Sequence, residues 1–239
     1  MPRDPNYRIP VFVLTGFLGA GKTTLLNCML QEPAFTRTAV IVNEFGEVGI
    51  DHDLVRRSSD QIVELTTGCL CCTISGDISK TIYELILLRN QKRVLPFERI
   101  IIETTGLANP VPVLFTLLAD QRLVKNICIG GVTTVVDAIN GQSTVAQHPE
   151  ALKQILVADT IVFTKTDLCY ENPGTGDISN IYVTVGKKNP SARLLDISEV
   201  NDNPGRAFSS APYRPENRPE DVIRWLAEEE TDSSHQQGP

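Results

Sequence analysis

The sequence has no excess of basic residues. Lys and Arg total 22 against 29 Asp and Glu, giving a net charge of -7 and a pI near 5.0. A nucleic-acid binder would normally carry a basic face, so nucleic acid is not expected as a partner. No apolar run approaches membrane-spanning length, and the opening MPRDPNYR lacks the character of a secretory signal. A cytoplasmic protein without a membrane partner is expected. A disulfide framework is also missing. The six cysteines include Cys69, Cys71 and Cys72 within four residues, and in the cytoplasm such a cluster points to metal or redox chemistry. At 239 residues, 41% apolar and 21% charged, the chain suits a soluble globular protein with a substantial core, built as one large α/β domain or two small ones.

What is present is organised around Gly16-Phe17-Leu18-Gly19-Ala20-Gly21-Lys22-Thr23, which fits the P-loop pattern. Residues 9–15 (IPVFVLT) read as a buried strand, and residues 24–30 continue as a helix. Glycines let the backbone turn its N–H groups inward, and the helix start adds its positive dipole end to the same anion. Lys22 is expected to reach the β- and γ-phosphates and the Thr23 hydroxyl to hold Mg²⁺.

Strand-like and helix-like stretches alternate along the rest of the chain. Strands are expected at 38–42, 61–65, 99–102, 132–136, 160–163 and 192–197. Helices are expected at 75–89, 111–118, 148–158 and 178–188, with Ile78, Ile82, Leu85 and Ile86 sharing one face of the first. This alternation predicts a P-loop α/β fold, a mostly parallel sheet with helices on both faces, whose ligands bind beyond the C-terminal strand ends. The P-loop, VNEFGEVGID, GCLCC, ETTG and TKTD would then gather along one edge as loops. Beyond Glu199 five of the fifteen prolines fall in the last 39 residues, which reads as a linker or tail. Residues 221–230 within it are expected to form one short amphipathic helix with Val222, Ile223, Trp225 and Leu226 on one side, docking back on the domain or touching a partner.

Each edge motif has its own chemistry. Glu103 ends an isoleucine strand, where P-loop enzymes keep an acid that orients Mg²⁺. Gly106 follows three residues later, placed to sense a γ-phosphate. Asp167 can accept two hydrogen bonds from guanine, whereas adenine offers no such donor pair. The Lys165 stem can lie over the base. Crowded thiolates at Cys69, Cys71 and Cys72 favour zinc or a related transition metal in an open site, with redox chemistry and inert packing as the other readings.

GFLGAGKTTLLN, VNEFGEVGIDHDL, GCLCC, ETTGLANPVPV, VVDA and TKTD together resemble the CobW-type metallochaperone GTPases, relatives of the urease and hydrogenase nickel-insertion GTPases, over about residues 8–200. The resemblance implies a GTPase that delivers zinc, or in some branches cobalt, to client proteins. It implies that Gly16, Gly19, Ala20, Gly21, Lys22, Thr23, Thr24, Lys165 and Asp167 bind GTP and that Thr23 and Glu103 hold Mg²⁺. Lys22, Glu103 and Gly106 would serve catalysis, and Cys69, Cys71 and Cys72 the transferred metal. Glu44, Glu47 and Asp51 lie in the matching switch loop, as candidates for Mg²⁺, water or the second metal. Thr164 stands where the family more often has Asn. Family members often continue into a histidine-rich linker and a second domain; here residues 1–200 are expected as the GTPase domain and 201–239 as a Pro-rich linker or tail, or the start of such a domain. A homodimer is left open beside the client. The rival readings are a P-loop kinase acting on a small molecule and a non-catalytic metal buffer.

Overall fold

Strands such as Val11-Phe12-Val13-Leu14 have no polar side to turn toward water, so both faces of their sheet must be covered. The computed structural model describes residues 7–43, 55–57, 62–65, 70–73, 77–171, 178–208, 213 and 219–235. Its strands are β1 (Ile9–Gly16), β2 (Thr38–Asn43), β3 (Val55–Arg57), β4 (Ile62–Leu65), β5 (Leu70–Thr73), β6 (Arg99–Thr104), β7 (Ile127–Asp137), β8 (Thr160–Thr164) and β9 (Arg193–Asp196). Among the described residues they form one sheet in the order β3-β4-β5-β2-β6-β1-β7-β8-β9. From β5 to β9 every pairing is parallel. The expected fold class is what the chain adopts, a P-loop α/β sheet.

The helices are α1 (Lys22–Leu30), α2 (Ile78–Asn90), α3 (Val111–Ala119), α4 (Gly141–Gln147), α5 (Pro149–Leu156), α6 (Thr166–Glu171), α7 (Ile178–Lys188), α8 (Ile197–Asp202) and α9 (Glu220–His235). On one face of the sheet, Val11, Val13, Ile100 and Ile102 meet Ile82 and Leu85 of α2 and Leu114 of α3. On the other, Phe12, Leu14, Val40 and Ile101 meet Leu25, Leu26 and Met29 of α1. The four residues expected on the inner face of α2 are all buried. Asp77 starts that helix by accepting from the Ser79 and Lys80 amides, at 2.8 and 3.3 Å.

One sequence expectation, the GCLCC stretch as a loop, is corrected, and the mostly parallel sheet gains antiparallel pairs at one end. The strand at 62–65 is antiparallel to its neighbour, and Cys71 and Cys72 lie in β5 itself rather than in a loop. Only four residues separate Leu65 from Leu70, and a parallel crossover needs a dozen or more. A hairpin is therefore the available connection, and the chain past Cys69 runs back as a strand between β4 and β2.

The region beyond Glu199 also contributes to the core. Ala207 and Phe208 join the α1 face, with the Phe208 ring edge-on to Phe12 at 5.2 Å. Tyr213 and Val222 join the opposite face, and Trp225 and Leu226 pack against it. The expected helix thus docks on the domain, and the Lys153 ammonium lies 5.1 Å from the Trp225 ring centre.

Asn189 is fully buried, and its amide nitrogen lies 2.8, 3.2 and 2.9 Å from the carbonyl oxygens of Ile155, Leu156 and Ala158 at the end of α5. Asn189→Ala takes this donor away from buried acceptors. It is expected to cost about 2–3 kcal/mol, measured as a lowered urea midpoint with an unchanged slope.

Candidate functional site

β1 ends at Gly16, where φ is +143° and an added Cβ would lie 2.3 Å from the Val135 carbonyl oxygen of β7. Only glycine lets the chain leave the sheet this close to its neighbour. Gly19 and Gly21 follow at φ +68° and +94°, left-handed steps of the kind that build anion-binding backbone concavities. α1 opens directly on this loop. Lys22 is buried at its first position, and its ammonium donates to the Phe17 carbonyl oxygen at 3.3 Å. The cation therefore folds back over the loop that would wrap the phosphates.

The cavity beside it holds about 300 Å³ and is lined by Gly19, Gly21, Lys22, Thr23, Glu103 and Gly106, among others. Across it the Thr23 hydroxyl donates to the Glu103 carboxylate at 2.6 Å, joining residues 80 positions apart in sequence. A hydroxyl and a carboxylate next to a phosphate pocket form the hard oxygen donor set that Mg²⁺ takes together with phosphate oxygens, so the residues fit that ion. Gly106 presses against the P-loop, and a Cβ there would meet the Leu18 backbone nitrogen at 2.6 Å. Gln154 of α5, almost fully buried, donates to the Gly106 and Ala108 carbonyls, each at 3.1 Å. The glycine that would sense a γ-phosphate is thus held from both sides.

On the far side of α1 a cavity of about 650 Å³ is lined by Gly21, Thr24, Cys28, Thr164, Lys165 and Asp167, and on its other wall by Asp196, Ile197, Ser198 and Asn201. Thr164 closes β8 and donates to the Ala20 carbonyl at 2.7 Å, tying this loop to the P-loop. A short hydroxyl can therefore span the gap at the position where the family more often has Asn. Asp167 is exposed in the first turn of α6. Lys165 takes a left-handed backbone, φ +60°, which costs a side-chain-bearing residue about 1–2 kcal/mol. Its ammonium donates to the Asp137 carboxylate at 2.7 Å. Partial burial pushes the Asp137 carboxyl upward, but hydrogen bonds from Lys165, Asn140 and Ile139 outweigh it and hold the group below the usual carboxylate range. Asp196 behaves likewise: burial raises it, and bonds from Ser198, Thr166 and Tyr182 bring it down.

The structure brings together Gly16, Gly19, Ala20, Gly21, Lys22, Thr23, Thr24, Glu103 and Gly106, with Lys165 and Asp167 around the corner of α1. Cys69, Glu44, Glu47 and Asp51 lie outside the described residues. Cys71 and Cys72 are placed by backbone register alone, opposite Val40 and Ile41 of β2. Among the described residues, no three His, Cys, Asp or Glu gather as a metal site. Four contributors were given no role in the sequence reading. Gln154 sits in a helix with no motif around it, and Asp196 and Ser198 follow a short strand. Asp137 had a visible signal, the abrupt acid at the end of an apolar strand.

A glycine-rich loop opening a helix, with an acid on the adjacent parallel strand, defines the P-loop nucleotide-binding class. The Thr164-Lys165-Thr166-Asp167 stretch, expected to read the base, follows β8 at the C-terminal end of the same parallel array. Residues 10–194 match the family model for the CobW/HypB/UreG nucleotide-binding domain, and the chain belongs to that family. The zinc chaperone YjiA of Escherichia coli (strain K12) is 35% identical over 202 residues, which is 84% of this chain and 61% of YjiA. The zinc-regulated GTPase metalloprotein activator 1 of Schizosaccharomyces pombe is 34% identical over 212 residues, 81% of this chain and 49% of the relative. A crystal structure of Zn(II)-bound YjiA GTPase from E. coli superposes with a TM-score of 0.63 at 35% identity, covering 79% of this chain and 57% of that one. The chain thus spans roughly half to three-fifths of the length of these relatives.

Gly106→Ala forces a methyl into the Leu18 backbone. The two loops must separate, and nucleotide affinity is expected to fall at least about tenfold, as for other overpacked contacts. Titration with a fluorescent guanine nucleotide measures it, and thermal unfolding shows that the sheet is kept.

Proposed function

We propose that this chain is the GTP-hydrolysing domain of a zinc metallochaperone, which takes zinc through Cys69, Cys71 and Cys72 and passes it to a metal-dependent client protein. The relatives' names support zinc as the cargo, with cobalt as the alternative that thiolates would also accept. The observation that carries the reading is one of register. Cys72 pairs with Ile41, and Ile41 with Ile102, one residue before Glu103. Two strand spacings of about 4.8 Å each put the cysteine strand roughly 10 Å from the strand that bears the Mg²⁺-side acid. Cargo and phosphate chemistry would therefore share one edge of one sheet.

In hydrolysis a water oxygen attacks the γ-phosphorus and the bond to the β,γ-bridging oxygen breaks, leaving charge on that oxygen. Lys22, the P-loop amides and the α1 N-terminus meet this charge, the main demand of phosphoryl transfer. Mg²⁺, when bound at Thr23 and Glu103, supplies neutralisation of the β- and γ-oxygens. Loss of the γ-phosphate removes the contact that the Gly106 amide would make, to which the chain after Gly106 can respond. Asp167 and the Lys165 stem select guanine. No arginine finger stands among the described residues at the phosphate cavity, so slow intrinsic turnover is expected.

Metal and nucleotide are expected to bind with reciprocal positive coupling of about 1–3 kcal/mol, several-fold to over a hundredfold in affinity. Competitive zinc titration with a non-hydrolysable GTP analogue, with GDP and without nucleotide measures it. Equal zinc affinity in all three states would leave a metal buffer attached to a GTPase. Lys22→Ala should keep the fold and lose hydrolysis; retained turnover would refute the phosphate-site assignment.

Base selection has its own check. Asp167→Asn should lose affinity for GTP and gain it for xanthosine triphosphate, because an amide donates where xanthine presents a carbonyl. Unchanged preference would mean that Thr164-Lys165-Thr166-Asp167 does not read the base, and an ATP preference in the wild type would favour the P-loop kinase reading.

A further inference from the structure

We propose that Asp137 is a positioning residue of the nucleotide site, which clamps Lys165 so that its methylene stem forms a fixed wall for the base. The proposal rests on the reading of Thr164-Lys165-Thr166-Asp167 as the base reader. Asp137 ends β7 directly opposite Thr164 in the sheet register, and the Ala138 amide donates to the Thr164 carbonyl at 2.9 Å. The two loops are therefore joined through the backbone before their side chains meet.

The Asp137 carboxylate is held almost entirely by its own turn. One oxygen accepts from the Ile139 and Asn140 amides at 2.8 and 3.1 Å. The other accepts from the Asn140 side-chain amide at 3.0 Å and from the Lys165 ammonium at 2.7 Å. Its side chain is 11% exposed against 36% for Lys165, so the acid is the fixed member of the pair and the lysine the one being held.

Lys165 also stands between two cavities. It lines the large one beside Asp167 and a second of about 270 Å³ beneath Phe17 and Ala20. Asp137 lines only the second. The ammonium is thus drawn away from the base cavity, and the stem is left along its wall. A free lysine would lose rotamer freedom each time a base bound; the clamp meets that cost during folding, which is preorganisation. Lys165 has a left-handed backbone at φ +60°, and its side chain reaches back to Asp137 at the end of β7.

The test is a double-mutant cycle on the full chain, with dissociation constants for GDP and ADP and steady-state GTP kinetics. Asp137→Asn keeps an oxygen for the Ile139 and Asn140 amides and removes the charge that holds Lys165. It is expected to weaken GDP about five- to thirtyfold, the scale of freeing one long side chain, with the kinetic loss falling on KM rather than kcat. Lys165→Met should weaken GDP to a similar degree, and adding Asp137→Asn to it should cost nothing further. If Asp137→Asn does not fold, Asp137→Ser, which keeps an acceptor for the turn, takes its place. A guanine-preferring wild type with additive losses, or with no loss in the Asp137 variant, overturns the proposal alone. A wild type that holds GDP and ADP equally overturns the base-reader assignment, and the clamp with it.

Discussion

The phosphate site depends on backbone packed against backbone with no room for a side chain. Gly16 lies against the Val135 carbonyl, and Gly106 against the Leu18 nitrogen and Cα. Side chains can yield by changing rotamer, but backbone contacts cannot, so the P-loop is located by the strand on one side and the ETTG loop on the other. The Thr23–Glu103 hydrogen bond then closes the ring across the cavity. An anion entering this space meets dipoles already in place, and electrostatic stabilisation is strongest when nothing must reorganise.

β7 is the strand through which distant parts of the chain reach that loop. It flanks β1 along its full length. The Thr134 hydroxyl donates to the Gln154 carbonyl, and the Gln154 side chain in turn holds the loop at Gly106. The Thr133 hydroxyl donates to the Ala207 carbonyl, and the Tyr213 amide to the Ile129 carbonyl. Phe17 stacks on His148, just before α5, with ring centres 4.5 Å apart. The α4–α5 pair therefore touches both the P-loop and the loop that would respond to a γ-phosphate.

The opposite edge of the sheet is built differently. There β3 and β4 add antiparallel pairs to an otherwise parallel array, and β5 carries two of the three clustered cysteines between them and β2. A strand fixes the spacing of its residues more tightly than a loop does. Cys71 and Cys72 are consequently set in register with β2, whose own C-terminal end leads toward the acids of the expected switch loop.

Much of the site could be read from residues alone because its parts are local. A P-loop is eight consecutive residues, and its glycines, lysine and threonine have to occur at those offsets whatever surrounds them. The apolar strands, the amphipathic face of α2 and the acid at Glu103 were likewise legible, since burial imposes period and strand ends expose the next residue. Partners distant in sequence were not. Nothing in a single chain reading says that Gln154 holds the Gly106 loop 48 residues away, or that Asp137 grips Lys165 across 28. Period also could not tell that residues 62–65 run antiparallel, or that LCCT is strand rather than loop. Pattern decides which residues are buried and which can turn, but direction and pairing are settled only when connections of limited length must close a common sheet.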